Sequence, residues 1–387
     1  MKTWPGLCTS LSMKLLLLFL FWSLWYINFS GRTIFAPLLP LIQDQLAIDN
    51  VLAGSLFTFL SGGYAVSLLV SGLLSSRIGY KRSITFGFAL LSISLFCLHY
   101  AAGYASFAVL ATFIGLSTGI YLPCAIPLLT AAFDRSRWGR VVALHDTAAS
   151  LSILSVPLLV AFTLHFFQWK NIFLIFGIVS SAAVISFLVF CPNPPPPEKS
   201  TTGFRHILLR RDFWIMTVLW VFATANGIGL YNIIPLFLVK GNHMPLHTAD
   251  TVFGLSRIGG FMVSILAGLM ADKIGVKRTL FSVLLITGLS TAALALAPPF
   301  TPLIVVLIIQ ATVSTGFFPV ALVTISKLTQ VGERSAFTGA AVAVGVVFGL
   351  GVTPVALGAV ADTWSFDAGF LALGLMTAAS TALLKWI

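Results

Sequence analysis

The chain has 387 residues, 58% of them hydrophobic and only 9% charged, with a mean hydropathy of +1.02 and a formal net charge of +11. That much apolar surface exceeds what a soluble domain can bury, which excludes a water-soluble globule and leaves an integral membrane protein. Apolar stretches of about 20 residues recur with short polar breaks. They fall at 13–41, 51–75, 83–101, 106–132, 141–166, 171–191, 213–239, 249–271, 279–298, 301–326, 336–361 and 366–386. None shows the period-2 alternation of a barrel strand, so the expected fold is all-α, with twelve transmembrane helices.

The first stretch is interrupted by Arg32. A charge near the bilayer centre costs about 3 to above 10 kcal/mol, so its default reading is a substrate or ion pathway. Asn28 lies one turn earlier on the same helical face, with Tyr26 nearby, and both are candidates to complete a site. The short basic lead before this stretch has no small-residue cleavage site after its apolar core, which predicts a retained helix. The Asn28-Phe29-Ser30 sequon lies inside it and is unusable there.

The fifth stretch carries His145 and Asp146 side by side. Asp44, Asp49, Asp250, Asp362 and Asp367 are expected at external ends or loops, and Asp134, Glu198, Asp212, Asp272 and Glu333 at cytoplasmic ones. Asp146 is then the one carboxylate within a span, and with His145 it is the expected proton-coupling or gating pair. A Pro-rich run after Cys191 cannot continue a helix and reads as a cytoplasmic linker, 192–212, between an N-terminal bundle, 1–191, and a C-terminal bundle, 213–387. In the seventh stretch Asn226, Tyr231 and Asn232 stand among Gly227 and Gly229, a pattern of interrupted helices that meet substrate. Arg257, in the eighth, lies roughly 5 Å outward of its midpoint, a depth similar to that of Arg32. One arginine from each half at a matching level is what an anion site needs, since guanidiniums bind carboxylates and phosphates by forked hydrogen bonds.

Two features tie the halves together. Gly72-Leu-Leu-Ser-Ser-Arg-Ile-Gly-Tyr-Lys-Arg82 recurs, 196 positions on, as Gly268-Leu-Met-Ala-Asp-Lys-Ile-Gly-Val-Lys-Arg278. An internal duplication is the simplest explanation. Basic residues crowd the loops on one side, with Lys170 and Lys240 in the opposite loops and Arg32 and Arg257 inside spans. The positive-inside rule places both termini in the cytoplasm and explains the net charge without a nucleic-acid partner. Cys8, Cys97, Cys124 and Cys191 have neither paired nor metal-ligand spacing, and no cofactor is expected.

At the repeated segment the chain resembles the major facilitator superfamily, whose signature between helices 2 and 3 is G-x3-D-[RK]-x-G-[RK]-[RK]. The resemblance implies two pseudo-symmetric six-helix bundles working by alternating access. It also implies a conformational latch at the cytoplasmic helix ends, here Asp272, Lys273, Lys277 and Arg278 with Arg77 and Arg82. Ser76 replaces the usual Asp in the first copy, making Asp272 the better latch residue.

Arg32-Thr-Ile-Phe-Ala-Pro-Leu-Leu-Pro40-Leu-Ile42 is similar to the R-x-x-[LF]-[SA]-x-x-x-P-x-I stretch of the anion:cation symporters and, more distantly, the organophosphate:phosphate exchangers. That likeness implies an anion-binding role for Arg32. Gly139-Arg140 and Trp169-Lys170-Asn171-Ile172-Phe173 with Phe176-Gly177 resemble further elements of that branch. Gly31 stands where those symporters have Asp, and their fourth-helix acid is missing at Gly119-Ile120-Tyr121-Leu122-Pro123, where Tyr121 is the polar candidate to face substrate.

The expected function is proton-linked secondary transport of a small organic anion by a monomer in the cell's inner membrane. A proton-driven exporter of amphipathic molecules is the alternative, although the fifth stretch has Ser150-Leu-Ser-Ile-Leu-Ser-Val-Pro157 where those antiporters have G-x-x-x-G-P-x-x-G-G. A receptor or assembly partner without transport is a third class. An enzyme is not expected, since no nucleophile with a base, metal cluster or phosphate loop is present.

Overall fold

In the computed structural model residues 11–134, 137–191, 207–298, 300–330 and 334–387 are described. Lys2, Cys8, Arg135, Glu198, Lys199, Arg205, Glu333 and linker positions 192–206 lie outside them. The described residues are helical nearly throughout. In chain order the spans are α1 (Ser12–Leu46), α2 (Asn50–Ile78), α3 (Tyr80–Tyr100), α4 (Tyr104–Ala131), α5 (Trp138–Thr163) and α6 (Trp169–Phe190). They continue as α7 (Arg211–Gly241), α8, α9 (Val276–Leu294), α10 (Thr301–Leu328), α11 (Phe337–Thr363) and α12 (Phe366–Trp386).

The other eleven are each long and apolar enough to cross a membrane. The eighth, expected as one run over 249–271, is instead two pieces, α8a (Leu246–Leu255) and α8b (Gly260–Ile274). Residues 256–259 between them are turn, and Arg257 stands in that turn. The neighbouring Gly259-Gly260 pair removes the side chains that would hold a continuous helix there. Helix α7 is also irregular, with widened π turns at Ala225–Gly229 and Phe237–Gly241, and α11 has one at Val346–Val352. Such turns concentrate at functional sites.

The repeated segment has the same local structure in both copies. Gly79 and Gly275 hold φ of 86° and 89°, a left-handed conformation that an L side chain adopts only under strain. One turn on, Ser83 Oγ donates to the Gly79 carbonyl at 2.9 Å and Thr279 Oγ1 to that of Gly275 at 3.0 Å. The sequence duplication is thus a duplicated helix–turn–helix.

Packing divides the chain into two units. One comprises Met1–Phe35 with Phe59–Ser200, the other Ala36–Thr58 with Thr201–Ile387. The hairpin 36–58 therefore groups by contact with the C-terminal helices, although the chain order assigns it to the N-terminal six. Within the second unit, Asp362 of α11 accepts from the Asn50 and Val51 amides at 3.3 and 3.0 Å and from Asn50 Nδ2 at 2.6 Å, capping the start of α2. Thr58 Oγ1 donates to Gly351 O at 2.8 Å, and Lys240 forms an ion pair with Asp44. Close approach here requires glycine. A Cβ on Gly54 would lie 2.5 Å from Pro354 O, and one on Gly358 would collide with the Asn50 backbone.

Candidate functional site

In the first unit the site is built around Arg32. Residues 12–33 of α1 are helical, so Trp25, Phe29 and Arg32 fall on one stripe at i, i+4 and i+7. The guanidinium carbon stands 4.3 Å from the Phe29 ring centroid, 4.6 Å from that of Tyr64 in α2, and 5.8 Å from that of Trp25. Among the described residues no carboxylate forms an ion pair with Arg32, and its buried Nε has no hydrogen-bond partner. Two rings at these distances supply about 1–4 kcal/mol. That falls short of the upper range of the cost of a guanidinium in a bilayer, so the rings alone do not offset it.

Trp25 links this shelf to α4 and α5. Its ring lies nearly parallel to those of Tyr121 and His145, with the three centroids 5.5 to 5.9 Å apart. Its indole Nε1 donates to Asp146 Oδ1 at 3.3 Å. Tyr121 O–H donates to the Phe21 carbonyl at 2.6 Å and lies 3.1 Å from His145 Nε2. A carbonyl can only accept, so the one phenolic proton is used there and Nε2 must be the donor toward Tyr121. That assigns the Nε2–H tautomer to a neutral His145 and leaves Nδ1, buried and without a partner, as the bare acceptor. His145 is buried, whereas its neighbour Asp146 is exposed on α5.

The remaining sequence candidates of this unit lie around that core. Asn28 Nδ2 donates to the Thr118 carbonyl at 3.2 Å, and its Oδ1 is buried without a partner. Tyr26 points to α5, where its hydroxyl meets Ser155 Oγ at 2.8 Å. Trp25, Phe29 and Tyr64 were not singled out from sequence. The only signal available was that Trp25 and Phe29 share the Arg32 face.

In the second unit Arg257 has parallel surroundings. Its guanidinium carbon is 4.9 Å from the Tyr231 centroid and 5.5 Å from that of Phe253, whose rings are 4.5 Å apart. Arg257 is buried, and its Nε and Nη2 have no hydrogen-bond partner among the described residues. Asn226 has a different environment. Its Nδ2 donates to Phe222 O and Thr377 Oγ1, both at 2.7 Å, while its Oδ1 accepts from Thr291 Oγ1 at 2.7 Å. Gln310 Nε2 adds contacts to Asn226 O at 3.1 Å and Thr291 at 3.3 Å. Asn226 is fully buried and its amide joins α7, α9 and α12.

Asp250 requires a correction. Expected at an external end or loop, it lies inside α8a, is fully buried, and neither carboxyl oxygen has a hydrogen-bond partner. Proximity to a polar loop misplaced Asp250, because helix α8a is tucked against α7.

The latch candidates Arg77, Arg82, Asp272, Lys273, Lys277 and Arg278 are exposed. Lys277 is nevertheless engaged, its Nζ reaching the main-chain oxygens of Ile387 at 3.2 Å and Lys385 at 3.5 Å. Among the described residues Asp272 joins no ion pair.

A family model described as Major Facilitator Superfamily matches residues 21–262 and 225–387. The "Uncharacterized MFS-type transporter YceJ" of Bacillus subtilis (strain 168) is 24% identical over 294 residues, covering 74% of this chain and 73% of that one. The 3-(3-hydroxy-phenyl)propionate transporter of Escherichia coli (strain K12) is 26% identical over 267 residues, 66% of this chain and 64% of that one. Among solved structures, the D-xylose-proton symporter superposes with a TM-score of 0.81 at 16% identity over 96% of this chain and 97% of that one. A bacterial homolog of the human lysosomal transporter Spinster gives 0.81 at 13% identity, covering 97% of both. At these identities the structural likeness speaks for the fold alone.

Proposed function

The chain belongs to the Major Facilitator Superfamily and is a secondary transporter, not an enzyme, and from that premise we propose that it moves a small organic anion with Arg32 holding the anionic group. The observation that carries this reading is the guanidinium on its aromatic shelf, with a buried N–H unfilled and, among the described residues, no carboxylate paired to it. A carboxylate or phosphate is the complement such a group lacks, and the rings of Phe29, Tyr64 and Trp25 favour a ligand with an apolar or aromatic body. The name of the 3-(3-hydroxy-phenyl)propionate transporter describes such a molecule, a carboxylate on an aromatic ring, which supports the same substrate class.

Arg257, stacked on Tyr231 and Phe253, offers the second unit's anion-ready group. Asn28 Oδ1 adds an acceptor one turn from Arg32. His145 and Asp146 act as gating groups in this reading, because both are tied to the ring set under Arg32. Transport is proton-linked and proceeds by alternating access in the cell membrane, with both termini cytoplasmic as the loop charges require. Uptake of labelled aromatic and aliphatic carboxylates and sugar phosphates into proteoliposomes tests the proposal. Gradient-stimulated uptake of one anion class, lost in Arg32→Ala, is expected. Uptake only of neutral solutes would overturn it.

A further inference from the structure

Several carboxylates in this fold find donors. Asp362 accepts from two amides and a side chain, Asp212 from Arg210 at 3.0 Å, Asp44 pairs with Lys240, and even exposed Asp146 takes the Trp25 indole. Among the described residues Asp250 has none, although it is fully buried. An ionised carboxylate sealed in protein with neither a cation nor a donor is costly, which marks Asp250 as a group lacking its complement.

The groups around it define what its ionised form would meet. Helix α8a packs on the second part of α7, whose titratable and charged residues are Tyr231 and Lys240. Tyr231 lies against Arg257, and Lys240 is paired with Asp44. On α8a itself His247 is exposed, one turn before Asp250. The next charge along the chain is Arg257, seven residues on and just beyond the end of α8a. It sits in the break at 256–259, and it too has unfilled hydrogen-bonding groups. One broken helix thus carries a buried acid and a buried base, both unfilled and separated by a turn.

We propose that Asp250 carries the coupling proton, and that its ionised form pairs with Arg257 while its protonated form releases Arg257 to the transported anion. This rests on the anion reading given above. A proton from the aqueous phase on one side adds to a carboxylate oxygen, the ion pair with Arg257 separates, and the free guanidinium accepts the anion. Loss of the proton to the other side restores the pair and expels the anion. Only the states carrying both ligands or neither are then stabilised, which is the condition for symport.

The test compares wild type, Asp250→Asn, Asp250→Glu and Asp146→Asn in proteoliposomes in two modes, accumulation driven by an inward proton gradient and counterflow against unlabelled internal anion. The asparagine mimics the protonated acid. Asp250→Asn is expected to keep counterflow within about threefold of wild type while losing gradient-driven accumulation. Asp250→Glu should retain coupling. Accumulation that survives in Asp250→Asn overturns the proposal, as does coupling lost only in Asp146→Asn. Infrared difference spectra between acidic and alkaline membranes supply a readout independent of substrate. A carboxylic-acid C=O band at neutral pH, absent in Asp250→Asn, is expected. If wild type moves no anion, the anion reading fails while this band still decides the protonation of Asp250, and its absence from wild type overturns the proposal.

Discussion

Lys81 and Lys277, equivalent positions of the internal repeat, do the same work in the two halves of the chain. The Nζ of Lys81 reaches the main-chain oxygens of Leu188 at 3.0 Å and Cys191 at 2.5 Å, at the end of α6. That of Lys277 reaches Ile387 and Lys385, at the end of α12. Each signature lysine therefore caps the last helix of its own half, where orphan carbonyls and the negative end of the helix dipole favour a cation. Replacing either with Met should lower stability by about 1 kcal/mol. Thermal unfolding in detergent checks this, and an unchanged midpoint for both variants would leave the lysines free for a latch.

Asn226 should behave as a structural node and not as a ligand contact. Asn226→Ala leaves Thr291, Thr377 and Gln310 without their buried partner, at a cost of about 3–5 kcal/mol. Unfolding curves should shift strongly while the affinity of the folded fraction for anion stays near wild type. A variant of normal stability with weakened binding would return Asn226 to the site.

The cap on α2 gives a local prediction. Asp362→Ala removes the acceptor of the Asn50 and Val51 amides and should cost about 1 kcal/mol. Hydrogen–deuterium exchange at the start of α2 should speed up by roughly fivefold, with α5 and α6 unaffected. Equal exchange in variant and wild type would show that the carboxylate is not holding the hairpin.

The proton arrangement on His145 is directly observable. With the Tyr121 hydroxyl committed to Phe21 O, nitrogen NMR of histidine-labelled protein should report the Nε2–H tautomer for neutral His145. Tyr121→Phe should release that preference. An Nδ1–H tautomer in wild type would reverse the donor assignment.

Much of the fold was readable because membrane burial leaves few ambiguities. Twelve apolar runs, the loop charges and the repeated glycine turn are each dictated by strong physics, and Arg32 and Arg257 stand out because charge is scarce in the spans. The aromatic shelf was not readable, since the chain's 33 Phe and 9 Trp carry no distinguishing pattern. Phe29 and Tyr64 gain meaning only from their distance to Arg32. Asp250 was misplaced because hydropathy cannot tell a wet helix end from one sealed against α7. The break at 256–259 was missed because glycine lowers helix stability by only about 1 kcal/mol, too little to mark an ending. The grouping of 36–58 with α11 depends on contacts between positions some 300 residues apart, which no local pattern encodes.

The central claim is that Arg32 recognises the charge of the transported molecule. Equilibrium binding of 3-phenylpropionate and of its uncharged amide to purified wild type, Arg32→Lys and Arg32→Ala tests it most directly. Wild type should prefer the carboxylate by at least about tenfold, Arg32→Lys should keep part of that preference, and Arg32→Ala should bind both ligands equally weakly. Equal affinity of wild type for acid and amide, or an undiminished preference in Arg32→Ala, would contradict the account.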